Sequence, residues 1–188
     1  MSVPIAEPYL DPRADELLAA APTPRKALFL DRDGVINVDR GYVNKPEDTE
    51  WMPSIFDLCA QAKMDDYLLV VVTNQAGIAR GYYSTKKFLA YTRWMHEQFS
   101  SKGIPLIATY YCPHHPIAGL GDLRVVCDCR KPAPGMILAA AYKFGLDLKA
   151  SFLIGDKLTD IAAAQAASVG GWALLEALSH GVEFSSKR

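Results

Sequence analysis

The chain has 188 residues, 50% of them hydrophobic, which suits one compact domain with a sizeable core. Twenty lysines and arginines against 21 aspartates and glutamates leave a net charge of -1, excluding a broad basic face for nucleic acid or an anionic membrane. No apolar run approaches the ~18 residues of a spanning helix and no basic-then-apolar leader opens the chain, so the expected location is the cytoplasm.

Residues 1 to 25 hold five of the twelve prolines around a short helix-forming stretch and are set apart as an N-terminal arm, docked or mobile. The domain proper is expected over residues 26 to 176, with 177 to 188 as a tail. Ala27-Leu28-Phe29-Leu30 reads as a buried strand that stops on Asp31, Asp33 and Gly34. Two carboxylates two positions apart in extended chain point the same way, which is costly unless a cation lies between them or one takes a proton. The pair therefore suggests a magnesium-assisted nucleophile and acid/base; a solvated turn after a core strand is the plain alternative. Residues 35 to 52 form a long loop broken by Gly41 and Pro46. Residues 54 to 64 carry Ile55, Leu58, Cys59 and Ala62 at helical spacing.

A second buried strand, residues 67 to 72, ends on Thr73, Asn74 and Gln75. Ser84 can cap a helix running to about residue 101, with Phe88, Tyr91, Met95 and Phe99 on its inner side. Residues 106 to 111 form a third strand, followed by an irregular stretch to residue 134. Pro134 suits the first turn of a helix ending near Phe144, with Gly145 as its C-cap. Residues 151 to 154 form a fourth strand that delivers Gly155, Asp156 and Lys157; a small-residue helix spans 160 to 167 and a fifth strand 172 to 175. Strands separated by helices give an α/β fold, a doubly wound, mostly parallel sheet with helices on both faces. Parallel strands put their carboxyl ends on one edge, so Asp31, Thr73 and Asp156 converge there. With Lys131, they form a set suited to phosphoryl transfer: an attacking carboxylate, a hydroxyl donor, a cation and a second acid.

The irregular stretch holds Cys112, His114, His115, Cys127 and Cys129. Three sulfurs and one imidazole make a closed, structural Cys3His zinc site. Either histidine serves on chemistry alone. Free core cysteines or a disulfide are the alternatives, disfavoured in a reducing compartment.

Phe29-Leu-Asp-Arg-Asp-Gly-Val35, Val72-Thr-Asn-Gln75, Arg130-Lys-Pro132 and Gly155-Asp-Lys-Leu-Thr-Asp160 resemble, in order, the four motifs of the haloacid-dehalogenase (HAD) phosphatase superfamily. The resemblance implies Asp31 as the nucleophile that becomes an aspartyl-phosphate and Asp33 as the acid that protonates the leaving alcohol and then activates water. It implies magnesium on Asp31, the Asp33 backbone carbonyl and Asp156. Thr73, Asn74, Gln75 and Lys131 would bind substrate, with Lys157 and Asp160 in support.

Asp31 to Asp39, Gly41-Tyr-Val43, Thr73 to Gly81, Tyr110 to Pro116 and Cys127 to Pro132 further resemble the heptose-1,7-bisphosphate 7-phosphatases, a capless branch with a zinc loop. That likeness implies His114 as the zinc ligand, Arg130 at the distal phosphate, and a sugar bisphosphate hydrolysed at carbon 7. A monomer without nucleic-acid or membrane partners is expected. Histidinol-phosphate phosphatases share the motifs and the zinc loop, and stand as the enzymatic alternative. A signalling receiver domain also uses an aspartate, a threonine and a lysine, but Asp33 argues for discharge of the phosphate rather than its retention. A zinc-organised nucleic-acid binder would need a basic face. Residues 117 to 124 match the branch least, which leaves the preferred sugar anomer open.

Overall fold

The computed structural model describes residues 5 to 178. Its elements are β1 (Tyr9–Leu10), α1 (Ala14–Ala20), β2 (Lys26–Leu30), α2 (Ile55–Met64), β3 (Tyr67–Asn74), the single turn α3 (Ala76–Ala79), α4 (Thr85–Ser101), β4 (Leu106–Cys112), α5 (Gly135–Phe144), β5 (Phe152–Gly155), α6 (Leu158–Ala166) and β6 (Gly171–Leu174). The strands form one sheet in the order β1-β4-β3-β2-β5-β6. All pairings are parallel except β1 with β4.

Side-chain alternation divides the core in two, as a sheet buried on both faces requires. Ala27 and Phe29 of β2, with Val70 and Val72 of β3, face Met136, Ile137, Ala140 and Phe144 of α5 and Ala163 and Ala164 of α6. Leu28, Leu30, Leu69 and Val71 face Ile55, Cys59 and Ala62 of α2 and Met95 and Phe99 of α4. The expected doubly wound sheet with helices on both faces is therefore present. No further domain is inserted over its carboxyl edge among the described residues.

Local chemistry sets the helix ends. The Ser84 hydroxyl accepts from the Lys87 backbone N–H at 3.2 Å, and Gly145 closes α5 at a left-handed φ of 62°. Helix α6 begins at Leu158, two residues before the expected start, because the Asp160 carboxylate reaches back to the Lys157 backbone N–H at 3.0 Å and belongs to the first turn. Strand β1 was not expected. Two residues carry no legible alternation, and Tyr9–Leu10 extends the sheet only by pairing with Ala108 and Thr109. The loop after β2 is folded: the Val35 and Ile36 side chains are buried and Asn37 bridges to Trp51. Of the expected tail, residues 179 to 188 lie outside the described residues.

His96 of α4 is buried against the sheet, with Nε2 2.9 Å from Thr109 Oγ1 and its ring edge-on to Tyr9. Burial pushes its pKa down to about 4, with the Asp11 charge opposing. The unfolded chain takes up this proton near the ordinary value of ~6.5, so the folded state loses stability as pH falls from there towards 4 and is unaffected above it. Urea denaturation across that window is expected to give His96→Gln a shallower fall than wild type, by on the order of 3 kcal/mol at most.

Candidate active site and metal centres

Five parallel strands share a direction, so Asp31, Thr73, Cys112 and Asp156 all emerge at one edge. A cavity of about 470 Å³ opens there, lined by Asp31, Asp33, Thr73, Gln75, Arg130 and Lys131 among others.

Lys131, one of the lining residues, is almost wholly buried. Its Nζ lies 2.9 Å from Asp31 Oδ1 and 2.5 Å from Asp160 Oδ1, and donates to the Val72 carbonyl at 2.8 Å. Desolvation alone would lower the pKa of this amine; the Asp31 and Asp160 charges outweigh it and raise the value, so the ammonium persists. Asn74 fixes the backbone of Lys131 from both sides, donating to its carbonyl and accepting from its N–H, each at 3.0 Å. Although Asn74 lines the cavity, both ends of its amide hold the lysine loop.

Asp31 also accepts from the Arg32 N–H at 2.7 Å. Asp33 faces inward to the buried Arg32 guanidinium at 2.7 to 3.2 Å and accepts from Asn37 at 3.1 Å and Gln75 at 3.3 Å. Thr73 is buried, and its hydroxyl accepts from Gln75 Nε2 at 2.9 Å. Lys157, half-exposed on the rim, is 3.3 Å from Asp39 and 3.4 Å from Asp156. Gly34 turns the chain at a φ of +90°, and a Cβ there would collide with the Asp156 carboxylate, so only glycine allows the two segments to meet.

Carboxylate oxygens of Asp31, Asp156 and Asp160 lie within 4.8 Å of one another. Burial, then the charge of Asp31, push the Asp156 pKa up to about 6, with Lys157 opposing. Asp156 Oδ1 is buried without a hydrogen-bond partner. A crowded acidic group with one bare oxygen fits a hard divalent cation such as magnesium.

The second cluster joins Cys112, His114, Cys127 and Cys129. Its sulfurs are 3.1 to 3.5 Å apart, beyond the ~2.05 Å of a disulfide and near the ~3.8 Å between sulfurs on tetrahedral zinc. His114 Nδ1 faces this cluster, 3.4 Å from Cys129 Sγ and 3.7 Å from Cys112 Sγ. His115 Nδ1 instead accepts from the N–H groups of Ile117 and Ala118, so His114 is the histidine in ligand position. Arg130 donates to the His114 carbonyl at 3.1 Å while lining the cavity.

Of the residues expected from the sequence, Asp31, Asp33, Thr73, Asn74, Gln75, Arg130, Lys131, Lys157 and Asp160 line the cavity, Asp156 joins Asp31 and Asp160 in the acidic group, and Cys112, His114, Cys127 and Cys129 form the second cluster. Arg32, Asn37, Asp39, Asn74's clamping role and Tyr83 were not read as parts of the site. Arg32 and Asn37 lie within the stretch Asp31 to Asp39, where the Asp33 carboxylate requires donors; nothing in the sequence marks Tyr83.

The HAD-hydrolase-like family model matches residues 128 to 175. A D-glycero-beta-D-manno-heptose-1,7-bisphosphate 7-phosphatase of Vibrio cholerae is 47% identical over 146 residues, 78% of each chain. A D-glycero-alpha-D-manno-heptose-1,7-bisphosphate 7-phosphatase of Burkholderia mallei is 52% identical over 145 residues, 77% of each chain. Among solved structures, a D,D-heptose 1,7-bisphosphate phosphatase from B. bronchiseptica, complexed with magnesium and phosphate, superposes with a TM-score of 0.66 at 36% identity, covering 79% of this chain and 78% of that one. A HAD-like protein from Mesorhizobium loti superposes at 0.76 with 39% identity, covering 81% of this chain and 73% of that one.

Removing Lys131 would leave Asp31 and Asp160 facing each other with no buried cation. Lys131→Met is expected to lower the unfolding free energy by ~3–5 kcal/mol in urea titrations, and Asp160→Asn added to it should recover part of that loss.

Proposed function

We infer the function from one premise: this chain belongs to the D-glycero-D-manno-heptose-1,7-bisphosphate 7-phosphatase family of HAD-like hydrolases, and is a phosphoric monoester hydrolase. We propose that it removes the carbon-7 phosphate of D-glycero-D-manno-heptose 1,7-bisphosphate in two steps at Asp31. The observation that carries this reading is the Lys131 ammonium held between Asp31 and Asp160 in the lining of a cavity that Thr73 also lines.

In the first step an Asp31 carboxylate oxygen attacks phosphorus in line, and the bond from phosphorus to the sugar oxygen breaks. Asp33 delivers a proton to the departing alcohol oxygen. In the second step Asp33, now a carboxylate, takes a proton from water as that water attacks the aspartyl-phosphate, which frees Asp31 and releases phosphate. Lys131 and Thr73 hold the non-bridging oxygens, where charge is concentrated. Asn74 and Asp160 keep the Lys131 ammonium in place, and Lys157 ties the rim by its pairs to Asp39 and Asp156. Arg130 faces the cavity from the metal loop and meets the distal phosphate, for which a planar guanidinium is suited. Magnesium, for which Asp31, the Asp33 backbone carbonyl and Asp156 are the assigned ligands, would supply further charge neutralisation when bound.

We assign zinc to Cys112, His114, Cys127 and Cys129 in a structural role, because four protein ligands close the site to substrate. Thiolate ligands suit the reducing cytoplasm, the proposed location. All groups of the site come from one chain, so a monomer suffices for the reaction.

Phosphate release with magnesium should be compared for both anomers of heptose 1,7-bisphosphate and for histidinol phosphate. Higher kcat/KM for either heptose anomer is the expected result; preference for histidinol phosphate would reject the sugar assignment. Asp31→Asn is expected to remain folded by circular dichroism and to retain under ~1% of the turnover, since the nucleophile alone is lost. Stripping the thiolate metal with a chelator should raise KM before the sheet melts. Elemental analysis that finds no zinc in fresh protein would contradict that assignment.

A further inference from the structure

Gln75 joins two groups assigned to the reaction. Its Nε2 donates to Thr73 Oγ1 at 2.9 Å and to Asp33 Oδ2 at 3.3 Å. An amide can turn over and exchange its donor and acceptor ends, so something must fix which end faces Thr73. Tyr83 meets the other end: its hydroxyl donates to Gln75 Oε1 at 2.6 Å, wholly within the buried interior.

The direction of this bond follows from its atoms: the amide oxygen can only accept, so the tyrosine supplies the hydrogen. Burial drives the Tyr83 pKa up to about 12, so the hydroxyl keeps its hydrogen throughout the neutral range. The ring itself is held in place. Tyr83 is 5% exposed, packs with Ile78, Phe88 and Tyr111, and lies so close to Gly77 that a Cβ there would overlap its ring.

We propose that Tyr83 is a positioning residue for phosphate binding, acting through Gln75 to leave the Thr73 hydroxyl hydrogen free to point into the cavity. A hydroxyl that accepts from the Gln75 amide has its own hydrogen available to an oxyanion. With the amide turned over, Gln75 would accept from Thr73 and take that hydrogen away. The same orientation presents a donor to Asp33. The proposal rests on the reading of Thr73 as a phosphate ligand.

The test uses full-length protein and inorganic phosphate as the probe. Its affinity is measured as product inhibition and by calorimetry, in a double-mutant cycle of Tyr83→Phe and Gln75→Leu. Tyr83→Phe keeps the ring over Gly77, and is expected to weaken phosphate binding about five- to tenfold, the range for one buried hydrogen bond. In the Gln75→Leu background the same change should have no further effect. Wild-type phosphate affinity in Tyr83→Phe would overturn the proposal, as would an undiminished second loss in the double variant, which is the mark of a merely structural role. Should Tyr83→Phe fail to fold, Gly77→Ala supplies the second route. Its methyl displaces the ring and should reproduce the loss, again with nothing added on Gln75→Leu; an additive loss would overturn the proposal. A wild-type protein that binds phosphate yet hydrolyses no monoester would reject the function proposed above, while the cycle would still decide the role of Tyr83.

Discussion

The buried ammonium of Lys131 between Asp31 and Asp160 is the interaction on which the site depends. Burial alone would disfavour the ammonium; the neighbouring Asp31 and Asp160 charges outweigh that cost. The three residues come from the end of β2, the loop before α5 and the first turn of α6, so the ion triad ties together segments over a hundred positions apart. The Val72 carbonyl and the Asn74 amide complete the arrangement from β3. Asp31 and Lys131, to which the proposed reaction assigns the phosphate, are thus held by the same contacts that tie these segments together.

The cysteine cluster extends that constraint outward. Cys129 stands two residues before Lys131, and Arg130 between them donates to the carbonyl of His114. The Gly135 N–H bonds the Asp128 carbonyl at 2.9 Å, and a side chain at Gly135 would overlap that backbone. A closed metal site here, as proposed, would set where the lysine loop leaves the sheet. It would also fix a stretch exposing Ile117, Leu120 and Val126, which has little apolar burial of its own to order it.

Much of this was legible because period-2 and period-3.6 patterns are strong in the central elements. Strands β2 and β5 end where apolar runs give way, whereas β3 continues through the polar Thr73 and Asn74, two residues past the expected end; parallel topology requires the convergence in either case. The choice of His114 over His115 was open on chemistry alone, since two adjacent imidazoles are equivalent until the backbone decides which faces the sulfurs. Strand β1 was illegible because two residues have no period and their pairing depends on β4, a hundred positions away. The hydrogen bonds of Tyr83 and Asn74 are illegible for a related reason: hydrogen-bond direction belongs to three-dimensional contacts, and spacing in the chain carries no trace of it. The breakers Gly41 and Pro46 mark residues 35 to 52 as a loop, while the pairing of Asn37 with Trp51 and its bond to Asp33 arise only in the folded chain.

In the proposed reaction phosphate passes through Asp31. The most direct test of that step is an acid quench during the first turnover of the heptose bisphosphate, followed by borohydride reduction and mass spectrometry of the peptide that contains Asp31. Reductive conversion of Asp31, and of no other carboxylate, is the predicted result. Release of the sugar monophosphate with Asp31 unmodified, or with the label on another residue, would contradict it.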